Sequence, residues 1–380
     1  MTRCILHVGM PKTGSTSIQD SLFFGLRDPQ FRYIHLTNRP NAADFLNAIF
    51  LDDPSQHWVY QRKGYSACKV ERLKYRYQEM LQQALRRAFA NQNTPIISSE
   101  DCWDYTSDQL QKVRTFMDQL DASFNVIVYI RPFKSWIESD FQQDAKQVLC
   151  PFYNKLEFGQ AYIKQKINYT ERLSIIEQIF GADRVVVRPF KRNQLIDGCV
   201  VRDFCKTLDI NFEPSKIQRV NVGFSAEAVK LLNSYNLYAL NQDSPSFADH
   251  HLLTLRLEQL KGQRFRLHSS IIEPLISHIR EQEQMILRRY AIDISENLWA
   301  ADEGLCIRQL DDLTSFSSKT LQWLAQQSQC SPIQDEQGEM AARAVAQQVS
   351  QLVHQPAWGV RLRRLKHNLH LKWHGMIHAV

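Results

Sequence analysis

Apolar and polar positions follow two different periods along the chain. Five short runs are apolar almost throughout: CILHV (4–8), YIHL (33–36), PIISS (95–99), NVIVYI (125–130) and RVVVR (184–188). Runs of this length, rich in Val and Ile, read as strands buried on both faces, and the run at 33–36 is the weakest of them. Between them apolar residues return every third or fourth position, which predicts helices over about 15–26, 69–91, 106–121, 132–149, 156–180 and 193–207. Thr106 or Ser107 is placed to cap one of these helices, and Pro132 suits the first turn of another. Strands alternating with helices predict a parallel sheet of about five strands covered on both faces, a three-layer α/β/α fold.

After about residue 212 the strand signals fade. Helical periods continue over about 224–238 and 268–291, and again over about 340–376, so a helical C-terminal extension is expected. Residues 325–338, AQQSQCSPIQDEQG, are polar and read as a linker. The expected organisation is a main domain over 1–295, a variable segment with the polar linker over 296–338, and a helical tail over 339–380.

Composition narrows the class without naming a function. Of 380 residues, 44% are hydrophobic and 23% charged, the balance of a folded globular chain, and no apolar run is long enough to cross a bilayer. A formal net charge of +6 is too mild for a dedicated nucleic-acid binder and suits a protein that handles anionic ligands. The eight cysteines are scattered without a C-x-x-C pair, so no zinc site is indicated. Apolar residues begin at Cys4 and lead straight into a loop, leaving no room for a targeting segment. Reduced thiols and a cytoplasmic location are therefore expected.

That loop, HVGMPKTGSTS (7–17), follows the first strand and opens the first helix. Backbone N–H groups at a helix start and the helix dipole favour an anion there. Gly14 lets the backbone approach a ligand, and Ser15, Thr16 and Ser17 offer hydroxyls. The spacing of Gly9 and Gly14 is that of a nucleotide-binding P-loop, which makes the expected fold P-loop-type. The lysine has moved, however: Ser15 occupies its usual place and Lys12 precedes the second glycine. A lysine on the near side of the turn suits a ligand with a shorter 5′ chain. Loop, Glu100 and Arg131 each follow a strand directly, so they are expected on one rim beyond the strands' carboxyl ends.

The run from Pro11 to Thr16, PKTGST, resembles the 5′-phosphosulfate loop of sulfotransferases that use 3′-phosphoadenosine-5′-phosphosulfate (PAPS). A second motif agrees: VIVYIRPFKSWIESDF places Arg131 after a strand and Ser139 eight residues later on the next helix. In this family such a pair binds the 3′-phosphate, and a guanidinium with a hydroxyl is well made for that. The resemblance extends over roughly residues 1–295, strong at the two motifs and diffuse elsewhere, including VVVRPFKRNQLIDGCVVRDFCKTLDI and NVGFSAEAVKLLNSYN. No RKG-type segment of the kind that completes the 3′-phosphate site in cytosolic animal members is present. LKGQRFR (260–266) has the chemistry without the pattern.

The resemblance implies transfer of a sulfuryl group from PAPS, as co-substrate, to an acceptor hydroxyl on a carbohydrate or a small metabolite. No metal is required. Pro11, Lys12, Thr13, Gly14, Ser15, Thr16, Arg131 and Ser139 would bind the donor, with Lys12 also stabilising the departing group. Family members use His or Glu as the base. Glu100, after the third strand, is the first candidate and His35, after the second, the other, while His7 within the first strand is expected to pack. Aromatic residues at 58–77, with Trp103 and Tyr105, are equally suited to the core and to an acceptor. In the tail, Trp358, Leu362, Leu365, Leu369, Trp373 and Met376 form one helical stripe beside Arg361, Arg363, Arg364, Lys366 and Lys372. That pattern suits either peripheral contact with an anionic membrane or docking on protein. Two other functions share the loop: a P-loop kinase or NTPase, and a non-catalytic nucleotide-binding scaffold.

Overall fold

Strands whose side chains are apolar on both faces need a layer of helices on each side, and that arrangement is found. A computed structural model of the chain describes residues 2–147, 160–218, 223–239, 247–300, 304, 306–334 and 337–354. Strand β1 (Thr2–Val8) leads into α1 (Ser15–Gly25). β2 (Phe31–Tyr33) is followed by α2 (Ala43–Phe50), the short α3 (Trp58–Arg62) and the long α4 (Ala67–Ala90). β3 (Thr94–Ser99) precedes α5 (Ser107–Asp118), and β4 (Ala122–Ile130) precedes α6 (Phe133–Gln147), α7 (Gln160–Lys166) and α8 (Tyr169–Phe180). β5 (Val185–Pro189) is followed by α9 (Val200–Thr207).

The five strands form one all-parallel sheet in the order β2-β3-β1-β4-β5. The central strand β1 pairs with β3 through Ile5↔Ile96 and Val8↔Ser99, and with β4 through Val8↔Val128. Alternation along β1 divides its side chains between two layers. Cys4, Leu6 and Val8 join Leu110, Val113, Phe133 and Ile176 from α5, α6 and α8. Ile5 joins Ile18 and Leu22 of α1 and Val201 and Phe204 of α9. His7 is fully buried in this second layer, its ring edge-on to Tyr129 and Phe204. It packs, as its place in the strand predicts, and burial pushes its imidazole down to about 3, so it stays neutral.

Helix ends follow local chemistry. Thr106, rather than Ser107, caps α5 in a reciprocal capping box with Gln109. Ser66 caps α4, and Ser225 caps the helix that begins at Ala226. Three expected helices are interrupted. The segment expected over 156–180 is broken between α7 and α8 at Asn168, whose ψ of 67° leaves the helical region. In the segment expected over 193–207, two single turns precede α9, with Asp197 and Gly198 both at positive φ. Pro274 divides the segment expected over 268–291, since it removes an N–H donor. The second strand lies at Phe31–Tyr33 instead of 33–36. Helix α2 went unforeseen because ADFLNAIF is only eight residues long and is buried from Phe45 to Phe50.

The C-terminal helices are α10 (Ala226–Tyr238), α11 (Phe247–Leu257), α12 (Ser269–Ile272), α13 (Ile276–Tyr290), α14 (Ser318–Ser328) and α15 (Gly338–His354). Val229, Leu232, Leu321, Leu324, Val345 and Leu352 from this group share one apolar cluster with the sheet. The polar stretch 325–338 begins inside α14, where Ala325 and Ser328 are buried. The basic stripe of the tail, from Trp358 to Met376, lies outside the described residues.

One buried ion pair joins β4, β5 and α9. Asp203 is fully buried and accepts hydrogen bonds from Tyr129 Oη (2.8 Å), Arg188 Nε (3.0 Å) and Nη2 (2.7 Å), and the Ile196 amide (3.2 Å). Removing the carboxylate leaves four donors without their acceptor. Asp203→Ala is expected to lose about 3–5 kcal/mol in denaturant unfolding, and a loss below about 1 kcal/mol would show the network to be dispensable.

Candidate functional site

The turn between β1 and α1 is held from three sides. The Gly9 amide donates to Ser99 O of β3 (3.0 Å), and Thr13 Oγ1 donates to Met10 O (2.6 Å). Across the turn, Arg131 Nη1 donates to Lys12 O (2.8 Å), and Trp136 Nε1 of α6 donates to Pro11 O (3.1 Å). Lys12 is held at φ 70° and Gly14 at φ 78°, so the turn runs through two left-handed residues into the helix. Glycine is needed at the second. A Cβ on Gly14 would stand 2.9 Å from Val200 Cγ1 and 3.0 Å from Phe190 Cε2. Gly9 is equally confined, because a Cβ there would meet Ser15 Oγ at 2.6 Å and Glu100 Cγ at 3.3 Å. No side chain caps α1, which leaves its first N–H groups for an anion.

Beyond the turn opens a cavity of about 270 Å³. Lys12, Gly14 and Ser17 line it from the turn, Arg131 and Ser139 from β4 and α6, and Arg264 and Arg266 from the loop before α12. The rim expected from the strand ends therefore brings together Lys12, Gly14, Arg131 and Ser139. Thr13 and Ser15 are buried beneath the turn rather than on the cavity wall. Pro11 and Thr16 shape the turn without lining the cavity. Glu100 lies behind Lys12, next to Ser15 and Gly9. His35 stands apart: it packs edge-on to Phe23 of α1 at 4.8 Å and does not line the cavity.

Several lining residues did not follow from the motifs alone. On α6, Ser135, Ser139, Gln142, Gln143 and Lys146 face the cavity together. Their steps of three and four after Arg131 mark one helix face, a signal that was readable. Arg264 and Arg266 belong to LKGQRFR, whose chemistry was apparent and whose position was not. Their loop reaches the cavity because Glu138 of α6 binds it twice: Oε2 accepts from Arg266 Nη1 (2.6 Å) and Oε1 from the Leu267 amide (3.1 Å).

Positive charge is concentrated and poorly solvated here. Burial pushes the Lys12 ammonium down to about 8; Glu100 holds it up, while Lys146 and Arg131 push it further down. Lys12 Nζ donates to Gln143 Oε1 (2.5 Å). Burial likewise lowers Arg131 and Lys146, and the like charge of Arg264 adds to the effect on Arg131. Lys146 pairs with Glu258 at 3.3 Å. In the opposite sense, burial raises the Glu100 carboxyl, with Lys12 opposing and Asp101 adding. Burial also raises Glu138 against the pull of Arg266. Cations in such a setting favour an anion with several negative charges, and the oriented carboxyl beside Lys12 can accept a proton. Among the described residues, no cluster of His, Cys, Asp or Glu is arranged to hold a metal ion, and no helix is long and apolar enough to cross a membrane.

No protein-family model matches the chain. An uncharacterised protein of Archaeoglobus fulgidus is 23% identical over 227 residues, covering 57% of this chain. The match spans 59% of that relative's length. Among solved structures, a sulfotransferase from Alicyclobacillus acidocaldarius is similar with a TM-score of 0.36 and 16% identity, over 69% of this chain and 98% of that one. A sulfotransferase domain from the curacin biosynthetic pathway is similar with a TM-score of 0.33 and 15% identity, over 58% of this chain and 79% of that one. Both likenesses are distant.

The constraint on the turn can be measured by comparing two glycines. Gly64 has φ 64° with nothing within 4 Å of a Cβ, whereas Gly14 has both a positive φ and close neighbours. Gly64→Ala is expected to cost about 1 kcal/mol in thermal denaturation and Gly14→Ala about twice that or more. Equal losses would mean that Val200 and Phe190 yield freely.

Proposed function

We propose that the chain is a sulfotransferase that moves the sulfuryl group of PAPS to an acceptor hydroxyl. The observation that carries this reading is the convergence of two separate anion sites on one cavity. One is the turn with Lys12 at the start of α1; the other is Arg131 with Ser139, reinforced by Arg264 and Arg266. A nucleotide with phosphate groups at both its 5′ and 3′ positions fits such a pair, and a nucleoside triphosphate lacks the second group. LKGQRFR would complete the 3′-phosphate site in place of the absent RKG-type segment.

In this scheme the acceptor oxygen attacks the sulfur in line with the bridging oxygen of the phosphosulfate. The new O–S bond forms as the bond from sulfur to the bridging oxygen breaks. Glu100 takes the acceptor's proton, and adenosine 3′,5′-bisphosphate leaves with the electron pair. Lys12 stabilises the charge that gathers on the bridging oxygen, where its partly desolvated ammonium is most effective. Neither Glu100 nor His35 lines the cavity; Glu100 suits the base better because its strongest electrostatic partner is Lys12, while His35 packs on Phe23.

Adenosine 3′,5′-bisphosphate is expected to raise the melting temperature, and ATP with Mg²⁺ to do so much less. Stabilisation by ATP with Mg²⁺ alone would overturn the reading. With labelled PAPS and a panel of hydroxyl acceptors, Glu100→Gln is expected to lower kcat by about 10²- to 10⁴-fold and to leave bisphosphate binding intact. Full activity in that variant would remove Glu100 as the base.

The pH profile follows from the same pair. Glu100 must be ionised, so the rate rises with pH through a carboxyl value that burial has raised. Lys12 must be protonated, so the rate falls as pH passes about 8. Lys12→Arg is expected to abolish the alkaline fall while lowering the rate, because a guanidinium stays charged there. An unchanged alkaline limb in that variant would assign it to another group.

A further inference from the structure

Among the described residues, a concentration of positive charge outside the cavity lies on α3 and the start of α4. Residues 57–76 hold six Lys and Arg and one acid, Glu71. Arg62, Lys63 and Lys69 are exposed, and Arg39 joins them, close enough to Arg62 for its like charge to depress the Arg62 guanidinium further than burial alone does. Asp44 pairs with two of these cations, 3.5 Å from Arg39 and 3.9 Å from Lys63. Aromatic rings alternate with the cations. Trp58 is 53% exposed with Arg62 at 6.0 Å from its ring centre, and Lys69 lies 3.6 Å from the centre of Tyr65. Rings of this kind offer faces to a sugar, and cations beside them suit its carboxylates or sulfates.

The patch is joined to the loop after β3. His57, at the start of α3, has Nε2 3.6 Å from Asp101 Oδ2 and its ring 5.9 Å from Trp58. Asn47 Nδ2 donates to the same Asp101 oxygen (2.5 Å), and Tyr105 Oη donates to Asn47 Oδ1 (2.7 Å), so the link is braced from α2 and from the loop before α5. Asp101 directly follows Glu100. The patch is thus tied through His57 and Asp101 to the loop that carries Glu100.

We infer that the surface formed by Trp58, Arg62, Lys63, Tyr65 and Lys69 with Arg39 binds an acidic polysaccharide, and that this polymer is the acceptor. The inference rests on the sulfotransferase reading for the acceptor role, while the binding surface stands on its own geometry. An acidic polysaccharide is favoured over a nucleic acid or a lipid surface because it combines carboxylates for the cations, an apolar sugar face for the exposed Trp58 ring, and hydroxyls for transfer.

The test uses the full chain and a fluorescent oligosaccharide of alternating glucuronate and N-acetylglucosamine, with its carboxyl-reduced form as the neutral control. The acidic oligomer is expected to bind and the reduced one to bind at least about tenfold more weakly. Trp58→Ala, and separately Arg62→Ser with Lys69→Ser, are expected to weaken binding by about tenfold each. Arg86→Ser with Arg87→Ser removes the same charge from exposed positions at the far end of α4 and is expected to change binding little. Equal loss in that control, no binding of the acidic oligomer, or equally tight binding of single-stranded RNA or phosphatidylserine vesicles through the same residues would overturn the inference. Stabilisation by adenosine 3′,5′-bisphosphate, measured on the same samples, reports the donor site separately. If it is retained while the oligomer fails to bind, only this inference falls; if it is absent while the oligomer binds, the donor reading falls and the surface remains.

Discussion

The hydrogen bond from Arg131 to the Lys12 carbonyl holds the site together (2.8 Å). Lys12 and Arg131 are both cations and both partly desolvated, and the charge of Arg131 lowers the affinity of Lys12 for its proton. Left to Coulomb repulsion they would separate. The bond binds the guanidinium to the backbone of the lysine instead of to its ammonium, so both charges stay at one cavity without facing each other directly. It also holds Lys12 in a left-handed conformation that a non-glycine residue adopts only when its surroundings require it. Trp136 repeats the device one residue earlier, at Pro11.

The carboxylates near the cavity differ in what they bind. Glu138 binds Arg266 and the Leu267 amide, and Glu258 binds Lys146, so both position cations. Glu296 does the same for the α6 backbone, accepting from the Ser135 amide (2.9 Å) and hydroxyl (2.5 Å). Glu100 differs from these three in that its strongest electrostatic partner is Lys12, the cation of the turn itself. Burial raises this carboxyl and lowers the ammonium, so the proton affinities of the two groups are drawn together.

Much of the central fold was legible along the chain, for local reasons. Strands β1, β3, β4 and β5 are apolar on both faces, so they stand out by composition. The turn at 9–14 stands out because glycine, lysine and hydroxyls follow a strand. Thr106 and Ser66 cap helices through side-chain oxygens that act over three residues. The breaks at Asn168 and Asp197 were less visible, because neither residue forbids a helix and packing on the sheet decides the matter. Helix α2 was hidden by its length, since eight residues buried from Phe45 to Phe50 give too few turns to fix a period.

Local sequence accounts for the parallel α/β core, the anion-binding turn, and the Arg131–Ser139 spacing, since each depends on residues within a few positions of one another. Which remote groups join them is settled by tertiary contacts. Arg264 and Arg266 reach the cavity through Glu138, more than a hundred residues earlier in the chain. Glu100 is placed beside Lys12, and His35 against Phe23, by the lateral pairing of β3 and β2 in the sheet. Strand order and loop docking are set by long-range burial that no local spacing encodes. For that reason the turn and the Arg131–Ser139 pair were visible along the chain, while the completion of the cavity and the link from His57 to Asp101 became visible only when it was folded.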